Sequence, residues 1–237
     1  MSTPMTGRVA VVTGVGRPGQ VGEAVAGAFA SLGAHVVLLD RDATEVEARA
    51  VELRARGFAA TAYVGDLTDP SSLDAVATSV AATHPDGVDA LVCLAGGFAA
   101  GTVAETAPEA WHRQLAINLT TAFLTTHAFL PQVRRASGAI VYVASAAALP
   151  GARVGGMAAY AVAKAGVVTL MQAVAQEERE HGVRANALAP TAIRTASNVA
   201  SMGTGTAYVE REVVAEWVTR LCGEASRDVT GQVVRLG

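Results

Sequence analysis

Tyr160 and Lys164 stand at i and i+4 in the run Tyr160-Ala161-Val162-Ala163-Lys164. On a helix that spacing puts both side chains on one face. An ammonium beside a phenol favours the phenolate and draws a pKa near ten toward neutral pH, which suits a proton donor and acceptor. Such a five-residue pair also arises by chance on an exposed helix turn. What lifts it is its setting, downstream of the glycine-rich turn Thr13-Gly14-Val15-Gly16-Arg17-Pro18-Gly19-Gln20-Val21-Gly22 and accompanied by Ser145 and Asn118.

The glycine turn joins a first apolar run to a first helical stretch. Gly14, Gly16, Gly19 and Gly22, with Val21 between the last two, let a pyrophosphate approach backbone amides at a positive helix terminus. The second apolar run ends in Leu38-Leu39-Asp40. A carboxylate there accepts both hydroxyls of an adenosine ribose and repels a 2′-phosphate, so the expectation is NAD(H). Arg41 and Arg17 are the contrary signal, since either could reach the 2′-phosphate of NADP(H). Asp66-Leu67 after the third run could meet the adenine edge; alone, Asp66 reads rather as a helix N-cap or turn residue ahead of Pro70. Ala95-Gly96-Gly97 after the fourth run leaves space for a ribose.

The elements that must position these groups follow from the alternation of short apolar runs with helical stretches. Strands are expected at Val9–Val12, His35–Leu39, Thr61–Val64, Ala90–Leu94, Ala139–Val143, Arg184–Leu188 and Gln232–Arg235. Helices are expected at Gly22–Leu32, Glu45–Arg56, Ser71–Thr83, Ala110–Leu130 and Met157–His181, with a last one at Val209–Cys222. This pattern predicts an α/β chain: a Rossmann-type, doubly wound, seven-stranded parallel sheet with helices on both faces, in a single domain over 1–237. The irregular stretch Thr195–Tyr208 reads as a loop closing over substrate.

Of the 237 residues, 51% are apolar and 16% charged, enough for a large core. A net charge of −3 gives no electrostatic case for nucleic acid or an anionic membrane. Cys93 and Cys222 have no metal-type spacing, and Cys93 reads as a small core residue. His112, His127 and His181 read as surface or packing residues, so no metal is expected. Met1–Gly7 lacks a leader pattern, and no apolar run approaches the ~18–20 residues of a membrane span. A cytoplasmic location is the expectation.

Taken together, these motifs resemble the classical short-chain dehydrogenases/reductases over nearly the whole chain, and within them 3-oxoacyl-carrier-protein reductase-like members. Asn118 in Ile117-Asn118-Leu119, Ser145 after Ile140-Val141-Tyr142-Val143-Ala144, Tyr160 and Lys164 match that family's four catalytic positions. Val183 to Pro190, with Ile193 and Thr195, resembles its nicotinamide-side segment. The resemblance implies that Tyr160 is the acid/base and that Lys164 also holds the nicotinamide ribose. It further implies that Ser145 donates to the substrate oxygen and that Asn118 anchors a water linking Lys164 to solvent. It implies a homodimer or homotetramer, paired through the two helices at Ala110–Leu130 and Met157–His181.

Three departures stand out. The glycine turn is two residues longer than Thr-Gly-x-x-x-Gly-x-Gly, nearer to enoyl reductases, whose Tyr and Lys are spaced farther apart. Cys93-Leu94-Ala95-Gly96 replaces Asn-Asn-Ala-Gly, and Pro190-Thr191 replaces Pro-Gly. The segment Cys93–Phe98 and the Gly-Gly-Met before Tyr160 resemble dihydropteridine reductases, a second reading. A third is a nucleotide-binding regulatory protein without turnover, against which the intact four residues argue.

The expected substrate pocket is walled by Phe98, Ala147, Leu149, Pro150, Gly151, Met157, Thr191 and Met202, small and apolar residues. It suits a neutral ketone or secondary alcohol, or the β-keto end of an acyl thioester, with Arg153 and Arg194 at the mouth for a charged carrier.

Overall fold

The computed structural model describes residues 4–237, so the first three residues of the Met1–Gly7 stretch lie outside the described residues. The strands are β1 (Val9–Thr13), β2 (His35–Asp40), β3 (Ala60–Val64), β4 (Ala90–Cys93), β5 (Ala139–Val143), β6 (Arg184–Pro190), β7 (Ala192–Arg194), β8 (Tyr208–Glu210) and β9 (Val233–Leu236). Seven of them form one parallel sheet in the order β3-β2-β1-β4-β5-β6-β9, as expected, and β7 pairs with β8 in a small parallel sheet of its own.

Alternation along β1 shows how the sheet is buried on both faces. Ala10 and Val12 join one apolar cluster, while Val9 and Val11 join the other. The first cluster is covered by α1 (Val21–Ser31), α2 (Ala43–Ala55) and α8 (Arg211–Cys222), through Phe29, Val46 and Val218. The second is covered by α3 (Pro70–Thr83), α5 (Thr121–Ala136) and α6 (Ala158–Glu177), through Leu73, Phe129 and Met171. The order of strands reverses between β1 and β4, and such a switch point opens a crevice at the carboxyl ends of the strands. There the Thr13 hydroxyl donates to the Val92 carbonyl at 3.1 Å and accepts from the Leu94 amide at 3.1 Å, clamping the two strands together.

Three expectations need correction. The helix expected at Ala110–Leu130 is two helices, α4 (Pro108–Leu115) and α5, joined by a wide π turn at Ala116–Thr120. It also runs past Pro131 to Ala136. An interior proline costs about 3 kcal/mol, and the burial of Phe129, Gln132 and Val133 around it offsets that cost. The stretch expected to be an irregular loop at 195–208 contains α7 (Ala196–Met202). By length and composition alone α6, at 20 residues, could cross a membrane, but this does not overturn the expectation of no membrane span. Lys164 interrupts its apolar run, which hid this in the sequence. Its packing on the sheet through Val167, Met171 and Val174 is that of a core helix.

Candidate active site

The C-terminal ends of β4 and β5 bring Asn118, Ser145, Tyr160 and Lys164 to one side of the crevice. Asn118 sits in the π turn, where one extra residue per turn redirects a side chain inward and often marks a functional position. Its Oδ1 accepts from the Gly97 amide at 3.1 Å, and its Nδ2 donates to the Gly97 carbonyl at 2.9 Å and the Gln114 carbonyl at 3.1 Å. The Gln114 side-chain oxygen adds a fourth contact at 3.3 Å. Asn118 therefore fastens the Ala95–Gly97 turn to the helix pair. A Cβ on Gly96 would stand 2.6 Å from Asn118 Oδ1 and 3.3 Å from Lys164 Nζ, so only glycine lets the three meet.

Lys164 is buried, and its Nζ donates to the Val143 carbonyl at 2.7 Å. Burial lowers its pKa to about 8, with the Cys93 thiol pulling weakly the other way. Ser145, two residues past β5, is in extended backbone and accepts from the Ala147 amide at 3.2 Å. Tyr160 faces Phe98 edge-on, with ring centroids 5.1 Å apart.

In this structure burial pushes the Tyr160 phenol up, and a hydrogen bond with Ser145 opposes it. The lowering by Lys164 expected from the sequence is not what this arrangement gives. The Lys164 Nζ lies 6.0 Å from the Tyr160 ring centroid, and it is tied to a carbonyl and is itself desolvated. Behind this group Cys93 is buried, its thiol pushed up to about 12 by desolvation, as suits a core residue.

The other side of the crevice carries the dinucleotide candidates. Gly14 is left-handed at φ +72°, and a Cβ there would lie 3.1 Å from the Ala95 amide nitrogen. A Cβ on Gly22 would come within 2.4 Å of the Gly14 carbonyl, so α1 starts directly against the turn. Gln20 caps α1 without a side-chain hydrogen bond. The first-turn amides thus have no side-chain acceptor, the donor set that an anion such as a pyrophosphate satisfies. Val15 of the turn is buried in the first core cluster.

Asp40 ends β2, and its carboxylate accepts from the Gly16 amide at 2.9 Å and the Asp42 amide at 3.3 Å. Arg41 is exposed beside it. The Asp66 carboxylate accepts from the Thr68 amide and hydroxyl at 2.8 and 2.7 Å, contacts that hold its pKa below the usual range. It shapes the turn before α3, while Leu67 is buried. Pro190 ends β6. The Ile193 carbonyl accepts from Asn198 Nδ2 at 2.8 Å, and the buried Thr195 caps α7 through the Asn198 amide at 3.2 Å.

Of the expected pocket residues, Phe98 lies against Tyr160 and is 59% exposed. Met157 immediately precedes α6, and Ala147 and Leu149 sit in the turn that packs on that helix. Pro150 and Gly151 continue this turn, both exposed. Thr191 turns toward the backbone of Gly237, and Met202 is 45% exposed at the end of α7. Arg194 is paired to Glu210 at 2.7 Å and lies 4.8 Å over the Tyr208 ring, so its charge is already matched. A cavity of about 230 Å³ lined by Gly101, Glu105, Thr106, Gln114 and Ala159 opens beside the start of α6.

Sequence reading missed Gln114, the Val143 carbonyl and Glu23. Glu23 carried one usable signal, an acidic side chain in the first turn of a helix.

Comparison with known proteins agrees with this fold. Residues 8–204 match the family model described as short chain dehydrogenase. A galactitol 2-dehydrogenase of Rhizobium johnstonii is 37% identical over 201 residues, covering 83% of this chain and 76% of the relative. A D-threitol dehydrogenase of Mycolicibacterium smegmatis is 35% identical, covering 81% and 72%. A solved structure from Beutenbergia cavernae, described as an NAD(P)-dependent gluconate 5-dehydrogenase with NADP bound at low occupancy, superposes with a TM-score of 0.88 at 33% identity. It covers 98% of this chain and 96% of that one.

Proposed function

The chain belongs to the short-chain dehydrogenase family, and from that premise we propose that it is an NAD(H)-dependent oxidoreductase interconverting a secondary alcohol and a ketone on a small, neutral, hydroxyl-bearing molecule, with Tyr160 as acid/base. Its reaction class, oxidation of CH–OH or reduction of C=O, follows from the family and from relatives named as dehydrogenases. The observation that carries the finer reading is the gathering of Ser145, Tyr160, Lys164 and Asn118 at the crevice whose opposite wall ends in Asp40.

The nicotinamide supplies the site that gives or takes the hydride. Gly14, Gly16, Gly19, Val21 and Gly22 would hold the pyrophosphate, and Asp40 and Arg41 would flank the adenosine ribose. Asp66 and Leu67 would meet the adenine, and Ala95 and Gly96 a ribose. Lys164, Pro190, Ile193 and Thr195 would border the nicotinamide half. Tyr160 moves one proton at its phenol oxygen, while Ser145 donates to the substrate oxygen as charge develops there. The Asn118 side chain is held by Gly97 and Gln114, and by the family resemblance Asn118 would anchor a water for exchange with Lys164.

The relatives named for galactitol and D-threitol favour a polyol-like substrate. A 3-oxoacyl thioester on an acidic carrier has weaker support, because Arg194 is engaged by Glu210. A dihydropteridine is disfavoured by Ser145, which such reductases generally lack. Assembly as a homodimer or homotetramer fits the exposed Phe123 and Val162 on α5 and α6; a monomer in light scattering at micromolar concentration overturns it.

The test is a panel of polyols, ketones, 3-oxoacyl thioesters and quinonoid dihydropterin with both cofactors, repeated with Tyr160→Phe. The expected outcome is polyol or ketone turnover with NAD(H), lowered by roughly 10²–10⁴-fold in the variant, with NADH binding kept. Retained turnover in Tyr160→Phe defeats the assignment.

A further inference from the structure

Glu23 in the first turn of α1 has three engagements that no proton or hydride step uses. Its Oε2 accepts from the Gly19 amide at 2.9 Å and from Arg211 Nη1 at 2.8 Å, and its Oε1 accepts from Arg49 Nη1 at 3.1 Å. Arg49 in turn reaches Glu52 at 2.7 Å. One carboxylate thus joins the glycine turn, α2 and the first residue of α8. Arg211 directly follows β8, which pairs with β7 on the near side of α7.

The turn and the α7 segment also touch directly. The Ala196 amide donates to the Gly19 carbonyl at 3.4 Å, and the Ser197 hydroxyl donates to Gln20 Oε1 at 3.1 Å. Gly19 is left-handed at φ +69°, which turns its amide and carbonyl to opposite partners, and a Cβ there would meet the Ala196 methyl at 3.5 Å. The residues making these contacts, Gly19 and Gln20, belong to the lengthened turn. Tyr208, whose hydroxyl donates to the Asn198 carbonyl at 3.2 Å and the Gly203 carbonyl at 2.6 Å, folds the far end of the segment back on α7.

We propose that Glu23 is a positioning residue that latches the lengthened glycine turn to the α7 segment through Arg211. The wall of the crevice and the segment beside it then move as one body, and ordering either by a dinucleotide orders the other. The dinucleotide part rests on the function proposed above; the latch itself does not. An exposed ion pair alone is worth little. Here a charged acceptor on a backbone amide, two guanidinium partners and two direct turn-to-segment hydrogen bonds act on the same few residues.

The experiment is amide hydrogen exchange on the ligand-free full chain and on its Glu23→Gln, Arg211→Gln, Arg211→Lys and double Glu23→Gln/Arg211→Gln variants. The Kd for NADH is measured alongside by fluorescence. Both Gln variants are expected to speed exchange in 14–22 and in 196–206 together, by roughly tenfold, with β5 and α6 as in the parent. NADH affinity should fall by roughly tenfold, with KM for the dinucleotide rising more than kcat falls. Arg211→Lys should restore part of both effects, and the double variant should be no worse than either single one. The latch is overturned if Arg211→Gln loosens only its own segment, or if the two substitutions add. If the parent protein binds no dinucleotide, the cofactor reading fails while the exchange result still decides the latch.

Discussion

Lys164 and Asn118 on one side of the crevice are held by main-chain carbonyls and amides inside the core, whereas Gly19 and Gln20 on the other side are held by side chains at the surface. The ammonium of Lys164 meets Val143 and the amide of Asn118 meets Gly97, and both residues are almost fully buried. Glu23 and Arg211 each keep about a third of their side-chain surface in water. Buried, hydrogen-bonded polar groups are costly to disturb, and half-exposed ion pairs are soft and screened by salt. In the proposed function a firmly held proton-handling wall thus faces a softer cofactor-binding wall, which suits a site that must position one proton accurately yet admit and release a large dinucleotide.

The largest effect that sharpens this contrast, beyond the loss of Tyr160, belongs to Ser145. On a preorganised wall, removing one donor aimed at a developing oxyanion costs roughly 10²–10³ in kcat. Ser145→Ala is expected to show that loss with NADH affinity unchanged, because its hydroxyl contacts lie at Ala147 and Tyr160, not at the glycine turn. Steady-state rates beside NADH titration check it. A Ser145→Ala enzyme within threefold of the parent would mean that the rigid wall is not where the charge develops.

Lys164 offers a smaller effect, read in stability. Its folded pKa of about 8 lies below the ordinary 10.5, so between those values the unfolded chain binds more protons than the native one. Stability from this group therefore rises with pH across that window and is flat below it. Relative to Lys164→Met, the native protein should gain up to roughly 1.4 kcal/mol per pH unit between about 8 and 10.5. Denaturant titrations at several pH values check this. Parallel curves for the two proteins would show that the buried wall tolerates its charge.

Legibility in the sequence follows the same division. The seven sheet strands were readable because apolar runs bounded by polar residues specify burial on both faces. Tyr160 and Lys164 stood out because their types and spacing carry chemistry, whereas Ser145 and Asn118 were picked out through the family resemblance. The π turn at Ala116–Thr120 was not readable: Ala-Ile-Asn-Leu-Thr continues a helical pattern, and the wide turn follows from Asn118 reaching back to Gly97 and Gln114. Nor was α7 readable, since Ala-Ser-Asn-Val-Ala-Ser-Met is one short stretch with too few apolar residues to show a period. It is fixed by Thr195, Asn198 and Tyr208 and by the Arg194–Glu210 pair. The Glu23–Arg211 contact joins residues 188 apart in the chain, with no local pattern to announce it.

Asp40 gives the smallest expected effect, and it separates two jobs on the compliant wall. Its carboxylate shapes the turn by accepting from the Gly16 amide, and in the proposed function it also reads the adenosine ribose by its charge. Truncation to Ala would remove both jobs at once. Asp40→Asn keeps an oxygen that can accept from Gly16 and removes only the charge. If charge selects the dinucleotide, the preference for NAD(H) over NADP(H) should shrink by roughly 1–3 kcal/mol, the scale of a lost charge-assisted hydrogen bond. Hydrogen exchange in the turn should stay as in the parent. The ratio of kcat/KM for the two cofactors reads the first quantity, and exchange at residues 14–22 reads the second. An unchanged ratio would remove Asp40 from ribose selection and leave Arg17 and Arg41, exposed at the same edge, as the groups that decide which dinucleotide enters.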